Sequence, residues 1–302
     1  MDLARVPALL EKLLYRTTPS LVVQPKNEQD IAKIMNFCIK RNLSVFPRGT
    51  ASFAFGGAVP TRNGIVVDCS PMMSILEIDP EEFSVRVQPG ARWADVASKL
   101  DPYNLVPMTT PTSLFSTVAG WVSTGGLGLN SYAYGSVFDS VISVRVVRPD
   151  GTVEELDSQS RSIKNLFGTE GQFGILTEIT LRVRPKPQYS GTCLLSFEAT
   201  NESFDFLKTL THSEYKPAHV VFFDRESMIR ENLLFKEHME LKETIVPEKN
   251  IILLHFETLE FKQKFISSLN NDKQIAENAA ASRYLWSDRY FPLKAQRIGP
   301  GL

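Results

Sequence analysis

A loop with very little side-chain bulk, residues 47–60, restricts the possible folds of this chain more than any other segment. Glycine reaches positive φ angles and lets the main chain approach a ligand closely. Consecutive N–H groups in such a turn form a concave nest that holds an anion. The sequence of the loop, PRGTASFAFGGAVP, therefore predicts a segment that brings backbone N–H groups against a phosphate.

Two familiar phosphate-binding arrangements do not fit this loop. The Rossmann fingerprint requires Gly-x-Gly-x-x-Gly between a strand and a helix. Here a polar turn at residues 60–64 and a strand at residues 65–68 follow Gly57. A Walker loop requires Gly-Lys-Ser or Gly-Lys-Thr after its glycines, and the sequence has neither. The loop therefore indicates another class of domain.

Three further segments are rich in glycine or small hydroxyl residues: 109–128, 134–141 and 167–178. The second of them leads into a strand-like run at residues 142–147. The third leads into an alternating strand that ends near Arg184. Together with the first loop, they form a series of four segments in a fixed order.

In this order and at these separations, the four segments resemble the FAD-binding domain of the vanillyl-alcohol oxidase and p-cresol methylhydroxylase (PCMH-type) superfamily. Within it they are most similar to the FAD-linked 2-hydroxy-acid dehydrogenases, the glycolate oxidase and D-lactate dehydrogenase group. The resemblance covers residues 15–187. It implies an α+β fold, with a PCMH-type FAD-binding domain of two α+β subdomains and a partial ferredoxin-like cap domain after it.

The domain boundary is predicted from Pro185 and Pro187, because proline cannot continue a strand ladder. We expect the FAD-binding domain at residues 1–187 and the substrate or cap domain at residues 188–302. Strands and helices alternate after the boundary; the strands are predicted at 192–197, 218–224 and 251–256, and the helices at 203–211, 228–238 and 259–270. Because the related dehydrogenases continue further, the cap is expected to be incomplete.

The resemblance also implies a set of cofactor-binding residues. The first loop would meet the pyrophosphate, the segment after residue 109 the flavin ring and ribityl chain, and the segment after residue 167 the adenine and ribose. The residues are Arg48, Gly49, Thr50, Ala51, Ser52, Gly56, Gly57, Pro111, Thr112, Ser113, Ser116, Thr117, Gly120, Ser123, Thr124, Glu170, Gly171, Gly174 and Ile175.

Four positions depart from the family pattern. Ala51 stands where the family prefers glycine, Ser52 replaces threonine, Phe53 replaces a small hydroxyl residue, and Ala119 interrupts a glycine pair. Superfamily members that tether the flavin covalently use histidine or cysteine, and neither residue type occurs in the first loop or in residues 109–128. We therefore predict noncovalent FAD.

The activity implied by the resemblance is oxidation of a small 2-hydroxy acid such as glycolate or D-lactate. Hydride would move to flavin N5, and the electrons would pass to a quinone or an iron–sulfur partner. The sequence identifies no catalytic base. The four histidines, His212, His219, His238 and His255, lie in no comparable motif and are predicted to be structural or surface residues. Arg289 is the candidate for holding a substrate carboxylate, since a guanidinium binds carboxylates bidentately.

Alternatives stay open at this point. The chain could be an accessory FAD-binding subunit, or a degenerate fold that acts as an interaction module without a cofactor. The resemblance implies an iron–sulfur or second flavoprotein partner subunit, or a homo-oligomer. Which hydroxy acid is oxidised does not follow from fold alone.

Composition narrows the range of partners and locations. The formal net charge is −1, which gives no basis for nucleic-acid binding. The sequence has no apolar run of about 18 residues and no secretion leader, so we expect no membrane span and a cytoplasmic location, either free or peripheral at the inner face of the membrane. Cys38, Cys69 and Cys193 are far apart and are predicted to be buried thiols, with no metal site.

Overall fold

The computed structural model describes residues 18–52, 56–239, 246–269, 281–282 and 285–286, with the side chains of residues 234–239 outside the described part. Two compact units divide the chain, Met1–Lys186 and Pro187–Leu302. Each contains both helices and sheet. The chain is therefore an α+β protein, as the sequence predicts.

A small parallel sheet begins unit 1. Its elements are β1 (Leu21–Val23), α1 (Glu28–Lys40), β2 (Ser44–Arg48) and β3 (Gly64–Asp68), with strand order β1-β3-β2. The side chain of Asn27 caps α1 by accepting a hydrogen bond from the N–H of Asp30 at 2.9 Å. Ile31, Met35 and Cys38 recur at helical spacing and form the buried face of α1. The chain enters the first loop directly from the end of β2.

A larger antiparallel sheet forms the rest of unit 1. Its strands are β4 (Ile75–Asp79), β5 (Ser84–Val87), β6 (Leu105–Pro107), β7 (Val141–Val147), β8 (Val153–Asp157) and β9 (Ile175–Pro185). The order is β4-β5-β9-β7-β8, and β6 also pairs with β9. The helices are α2 (Trp93–Leu100), α3 (Val118–Ser123), α4 (Ser131–Tyr134) and α5 (Val137–Ser140), with 3-10 turns at Asp101–Tyr103 and Arg161–Leu166.

Helix α1 connects the two sheets. Its buried residues Ile31 and Met35 pack in one apolar cluster with Val67 of β3, Val147 of β7 and Ile175 of β9. Burying apolar surface stabilises such a contact by about 25 cal/mol per Å² removed from water. A common core thus fixes the positions of β3 and β9, and with them the loops that flank these strands.

Unit 2 consists of β10 (Gly191–Phe197), α6 (Thr200–Leu210), β11 (His219–Phe223), α7 (Arg225–Met239), β12 (Asn250–Phe256) and α8 (Leu259–Ser268). The strands form an antiparallel sheet of order β10-β12-β11. All seven residues of β12 are buried, as expected for the central strand. This strand order, with a helix joining the two outer strands, is that of a partial ferredoxin-like sheet.

Most sequence-predicted elements are confirmed, with small shifts at their ends. The turn signals at Asp79-Pro80 and Asp150-Gly151 predict two hairpins, and both are present, since β4 pairs with β5 and β7 pairs with β8 in antiparallel register. The helix predicted from residue 203 begins at Thr200, because the Glu202 carboxylate accepts a hydrogen bond from the N–H of Ala199 at 3.3 Å. The helical spacing of Val6, Leu9, Leu10, Leu13 and Leu14 predicts a further helix, which lies outside the described residues.

No helix within the described residues combines the length and apolar character that crossing a membrane requires.

Candidate functional site

Three of the sequence-predicted segments meet at one place in unit 1: the first loop (residues 48–57), the second segment (111–124) and the third loop (168–175). A Cβ atom on Gly49 would overlap Oγ1 of Thr117, so the first loop touches the start of α3. A Cβ on Gly171 would overlap Cγ of Pro47, so the third loop touches the end of β2. The three segments therefore form a single loop cluster, although the first loop and the third loop are more than 100 residues apart in sequence.

The backbone of the loop cluster contains left-handed turns of the kind that can present N–H groups to an anion. Ala51 has φ 50° and Gly56 has φ 82°, and in the third loop Glu170 has φ 53° and Gly171 has φ 83°. A non-glycine residue in this left-handed region is uncommon and tends to occur at functional sites. The position of Ala51 is thus one where glycine would be favoured, which agrees with the family's preference for glycine there.

The first loop also has N–H donors to offer. Among the described residues, no backbone hydrogen bond comes from the N–H groups of Gly49, Thr50 or Ala51. Arg48 lies beside them at the end of β2 and is partly exposed. Backbone N–H groups in a left-handed turn, with an adjacent guanidinium, fit the pyrophosphate of a dinucleotide. Phe53, Ala54 and Phe55 lie outside the described residues.

The hydroxyl residues of the second segment shape its backbone. Thr117 is 2% exposed, and its Oγ1 caps α3 by accepting a hydrogen bond from the N–H of Gly120 at 3.3 Å. The hydroxyl of Ser116 donates to the carbonyl of Ser113 at 2.7 Å, and that of Thr124 donates to the carbonyl of Trp121 at 3.0 Å. Pro111 is buried, Thr112 is exposed, and Ser123 is partly exposed. These local bonds fix the backbone shape of the second segment.

Two glycines that follow α3 have a packing role that the sequence pattern does not reveal. A Cβ on Gly126 would overlap the indole ring of Trp121, and a Cβ on Gly128 would lie 2.9 Å from the same ring. Trp121 in turn makes an edge-to-face contact with buried Trp93, with ring centroids 5.1 Å apart. These glycines let the chain wrap around a tryptophan, and they were not among the predicted cofactor-binding residues.

The third loop is buried in the core at its end and faces open space at its start. Ile175 is 4% exposed and belongs to the core, so only its backbone is available to a ligand. Gly174 has φ 144° and packs on Val146 and Val147 of β7. Gly168 has φ 69°, and a Cβ built on it meets nothing within 4 Å. The loop therefore presents free space next to a well-anchored strand.

The histidines of unit 2 form no metal site in the described part of the chain. His255 is buried, its Nε2 lies 2.9 Å from Oγ of Ser190, and its ring stacks on Trp286 with centroids 4.2 Å apart. His219 lies opposite His255 across the β11–β12 pair. Arg289, the predicted carboxylate-binding residue, lies outside the described residues, as does the side chain of His238.

A separate polar cleft of about 350 Å³ opens between α1 and the antiparallel sheet and contains none of the predicted cofactor-binding residues. Its two arginines are already paired: Arg86 with Glu77 and Glu178, and Arg145 with Glu28 and Glu155. The hydrogen bonds from Arg145 lower the pKa of Glu28 despite its burial. We assign this cleft to the stability of unit 1.

The parallel and antiparallel sheets of unit 1, with the loop cluster beside them, agree with the FAD-binding domain that the sequence resemblance implies. Residues 19–157 match the family model described as "FAD binding domain". These residues thus form a PCMH-type FAD-binding domain, and FAD is its cofactor.

Similar proteins include subunits of glycolate oxidases and a D-lactate dehydrogenase. The chain is 29% identical over 223 residues to "Glycolate oxidase subunit GlcD" of Bacillus subtilis (strain 168), which covers 71% of this chain and 47% of that protein. It is 26% identical over 280 residues to "D-lactate dehydrogenase [cytochrome], mitochondrial" of Arabidopsis thaliana, with coverage of 90% and 49%. It is 31% identical over 196 residues to GlcD of Escherichia coli (strain K12), with coverage of 63% and 39%. The chain thus spans about half the length of these relatives or less.

A solved structure of alkyldihydroxyacetonephosphate synthase has a similar fold. The TM-score is 0.67 at 22% sequence identity, with 82% of this chain and 49% of that chain covered. At this identity, the similarity supports the fold alone.

Proposed function

We propose that the chain binds FAD noncovalently through the loop cluster and takes part in the oxidation of a small 2-hydroxy acid such as glycolate or D-lactate. The proposal rests on the observation that the three predicted segments lie in contact at one place in unit 1. The similarity to a glycolate oxidase subunit and to a D-lactate dehydrogenase supports the substrate class. Bound FAD would supply the hydride acceptor, at N5 of its flavin ring.

Each segment of the loop cluster has a proposed role. The N–H groups of Gly49, Thr50 and Ala51, with Arg48, hold the pyrophosphate. The second segment lies along the flavin ring and ribityl chain, where its backbone is fixed by the Thr117 cap. The third loop meets adenosine through the backbone of Gly171 and Ile175. These residues bind and orient the cofactor; none of the described ones is proposed as the catalytic base.

Unit 2 is proposed as the substrate-covering domain. Arg289 remains our candidate for the substrate carboxylate, because a guanidinium matches a carboxylate with two parallel hydrogen bonds. An iron–sulfur subunit, a second flavoprotein subunit or another copy of the chain is the proposed partner. The name of the GlcD relatives, which are oxidase subunits, supports a partner.

A second candidate function is an accessory FAD-binding subunit that does not turn over substrate itself. The left-handed Ala51, at a position where glycine is favoured, supports this alternative because it weakens the fit of the first loop. Both candidates require FAD binding, and they differ in whether this chain reduces its own cofactor.

The test is the visible absorption spectrum of the purified protein after FAD is added and excess cofactor removed. D-lactate, glycolate and 2-hydroxyglutarate are then added in turn without oxygen. We expect flavin bands that bleach with one acid. Bands that stay with every acid would favour the accessory subunit, and a protein that retains no FAD would overturn the proposal. Release of all flavin on acid precipitation would establish that binding is noncovalent.

A further inference from the structure

Glu170 contacts all three segments of the loop cluster, and the cofactor contacts proposed for its loop are made by the backbone, not by its side chain. It belongs to the third loop. Its N–H donates a hydrogen bond to the carbonyl of Ser123, the last residue of α3, at 3.0 Å. Its carboxylate lies over Gly57 of the first loop, where a Cβ would come within 2.9 Å of Oε2 and 3.1 Å of Cδ.

The backbone of Glu170 is held in an unfavourable conformation by these contacts. Its φ of 53° lies in the left-handed region, which L residues with a side chain rarely adopt. Such a conformation persists where the surroundings fix it, and it occurs preferentially at binding sites. The bond to Ser123 and the contact with Gly57 are the two contacts that fix it here.

The contact with the first loop depends on the shape of the side chain more than on its charge. No ion pair in the described part of the chain includes Glu170. Gly57 has no side chain, and this leaves the space that the carboxyl group occupies. An uncharged side chain of the same size would fill that space equally well.

We infer that Glu170 is a positioning residue that holds the first loop, the second segment and the third loop in register, an inference that rests on the proposed FAD site. Its N–H fixes the third loop to α3, and its side chain limits where the first loop can lie. The N–H groups that bind the pyrophosphate are thereby kept in place before FAD arrives. Such preorganisation raises affinity by reducing the ordering that binding requires.

Two variants separate this role from others. Glu170→Gly tolerates the left-handed backbone but removes the side chain. Glu170→Gln keeps the size and removes the charge. Phe83→Gly is the matched control, because Phe83 also has a left-handed φ, of 49°, and lies in the turn between β4 and β5, outside the loop cluster.

The measurements are the dissociation constant of FAD by flavin fluorescence and hydrogen exchange of the apo protein in residues 48–57. For Glu170→Gly we expect FAD to bind at least about tenfold more weakly and exchange in the first loop to accelerate. Glu170→Gln should match the wild type in both, and so should Phe83→Gly. Either unchanged exchange or unchanged FAD affinity in Glu170→Gly would overturn the inference, and so would a Glu170→Gln variant as impaired as Glu170→Gly.

The proposed function and this inference can fail separately. If the wild-type chain retained no FAD, the proposed function would fail, but the exchange experiment on the apo protein would still decide whether Glu170 positions the first loop. If the wild type bound FAD and Glu170→Gly bound it equally well, only the inference would fail.

Discussion

Arg145 of β7 donates two hydrogen bonds to the carboxylate of Glu28 at the start of α1, from Nε to Oε2 at 3.1 Å and from Nη2 to Oε1 at 2.8 Å. The hydroxyl of buried Thr177 on β9 donates a third, to Oε2 at 2.7 Å. The Glu28 side chain is only 15% exposed. These bonds fix the first helix to the antiparallel sheet, and the same helix carries the apolar contacts between the two sheets of unit 1.

Glu28→Gln should lower the free energy of unfolding by about 1–2 kcal/mol, because it removes a charge-assisted pair that is partly shielded from water. Chemical denaturation of unit 1, followed by circular dichroism, measures the change. Glu155→Gln is the matched control: Glu155 also pairs with Arg145, but its side chain is 65% exposed. We expect Glu155→Gln to lower the free energy of unfolding by less than about 0.5 kcal/mol. Equal losses of unfolding free energy in Glu28→Gln and Glu155→Gln would contradict the stabilising role assigned to the Glu28–Arg145 pair.

The contribution of Glu28 should depend on pH in one direction. The hydrogen bond from Arg145 lowers the pKa of Glu28 below its ordinary value, against the effect of burial. A carboxylate with a lowered pKa in the folded state stabilises the fold above its unfolded-state pKa, and this stabilisation is lost as the pH falls through the folded-state pKa. The stability difference between wild type and Glu28→Gln should therefore be full at neutral pH and disappear in acid. A difference that grows in acid would contradict this.

Long-range pairs of this kind could not be predicted from the sequence, since 117 residues separate Glu28 from Arg145. The helical spacing of Ile31, Ile34, Met35, Cys38 and Ile39 does predict the helix that begins at Glu28, and the strand-like run at residues 142–147 includes Arg145. Which charged residues face each other depends on how α1 lies on the sheet, and local patterning does not specify that.

The loop cluster, too, could be predicted from the sequence only in part. The order of the four segments predicted the family, and the structure brings three of them together. Glycine content alone did not distinguish Gly126, which makes room for Trp121, from Gly168, which faces open space. Gly126 and Gly168 cannot be told apart in the sequence, because glycine allows close packing of side chains and close approach of a ligand alike.

Ala51→Gly should strengthen FAD binding. Ala51 has φ 50°, where an L residue costs about 1–2 kcal/mol relative to glycine. Glycine also makes the unfolded chain more flexible, which offsets about 0.4–1 kcal/mol of the gain in stability. We expect a slightly more stable protein and a lower dissociation constant for FAD, measured by fluorescence. Ala97→Gly in α2 is the control, and it should destabilise the protein by about 1 kcal/mol without changing FAD affinity. Weaker FAD binding by Ala51→Gly would refute the prediction.

The three thiols should be unreactive in the folded protein. Cys38, Cys69 and Cys193 are all buried, and none of them forms a disulfide bond. Burial raises the pKa of Cys69 to about 12 and also raises that of Cys38. Because the thiolate is the reactive form, a thiol-reactive aromatic disulfide at about pH 8 should release almost no chromophore until denaturant is added. Three equivalents should then appear. Rapid release from the native protein would show that a thiol is accessible.

Bulk at Gly168 should block FAD without unfolding the domain, whereas bulk at Gly171 should damage the fold. Both glycines have positive φ, 69° and 83°, but a Cβ on Gly171 overlaps Pro47 and one on Gly168 meets open space. Gly168→Trp should therefore lose about 1–2 kcal/mol of stability from backbone strain and bind FAD at least about tenfold more weakly. Gly171→Trp should lower the melting temperature of the apo protein much further.

Asn42→Trp is the matched control for Gly168→Trp, because Asn42 is exposed, has φ 50° and lies just after α1, outside the loop cluster. It should tolerate the tryptophan with similar strain and wild-type FAD affinity. Thermal unfolding of the apo proteins and fluorescence titration with FAD separate the two effects. If Gly168→Trp retained FAD as tightly as Asn42→Trp, the open space beside Gly168 would not be part of the cofactor site, and the third loop would contact FAD through Gly171 and Ile175 alone.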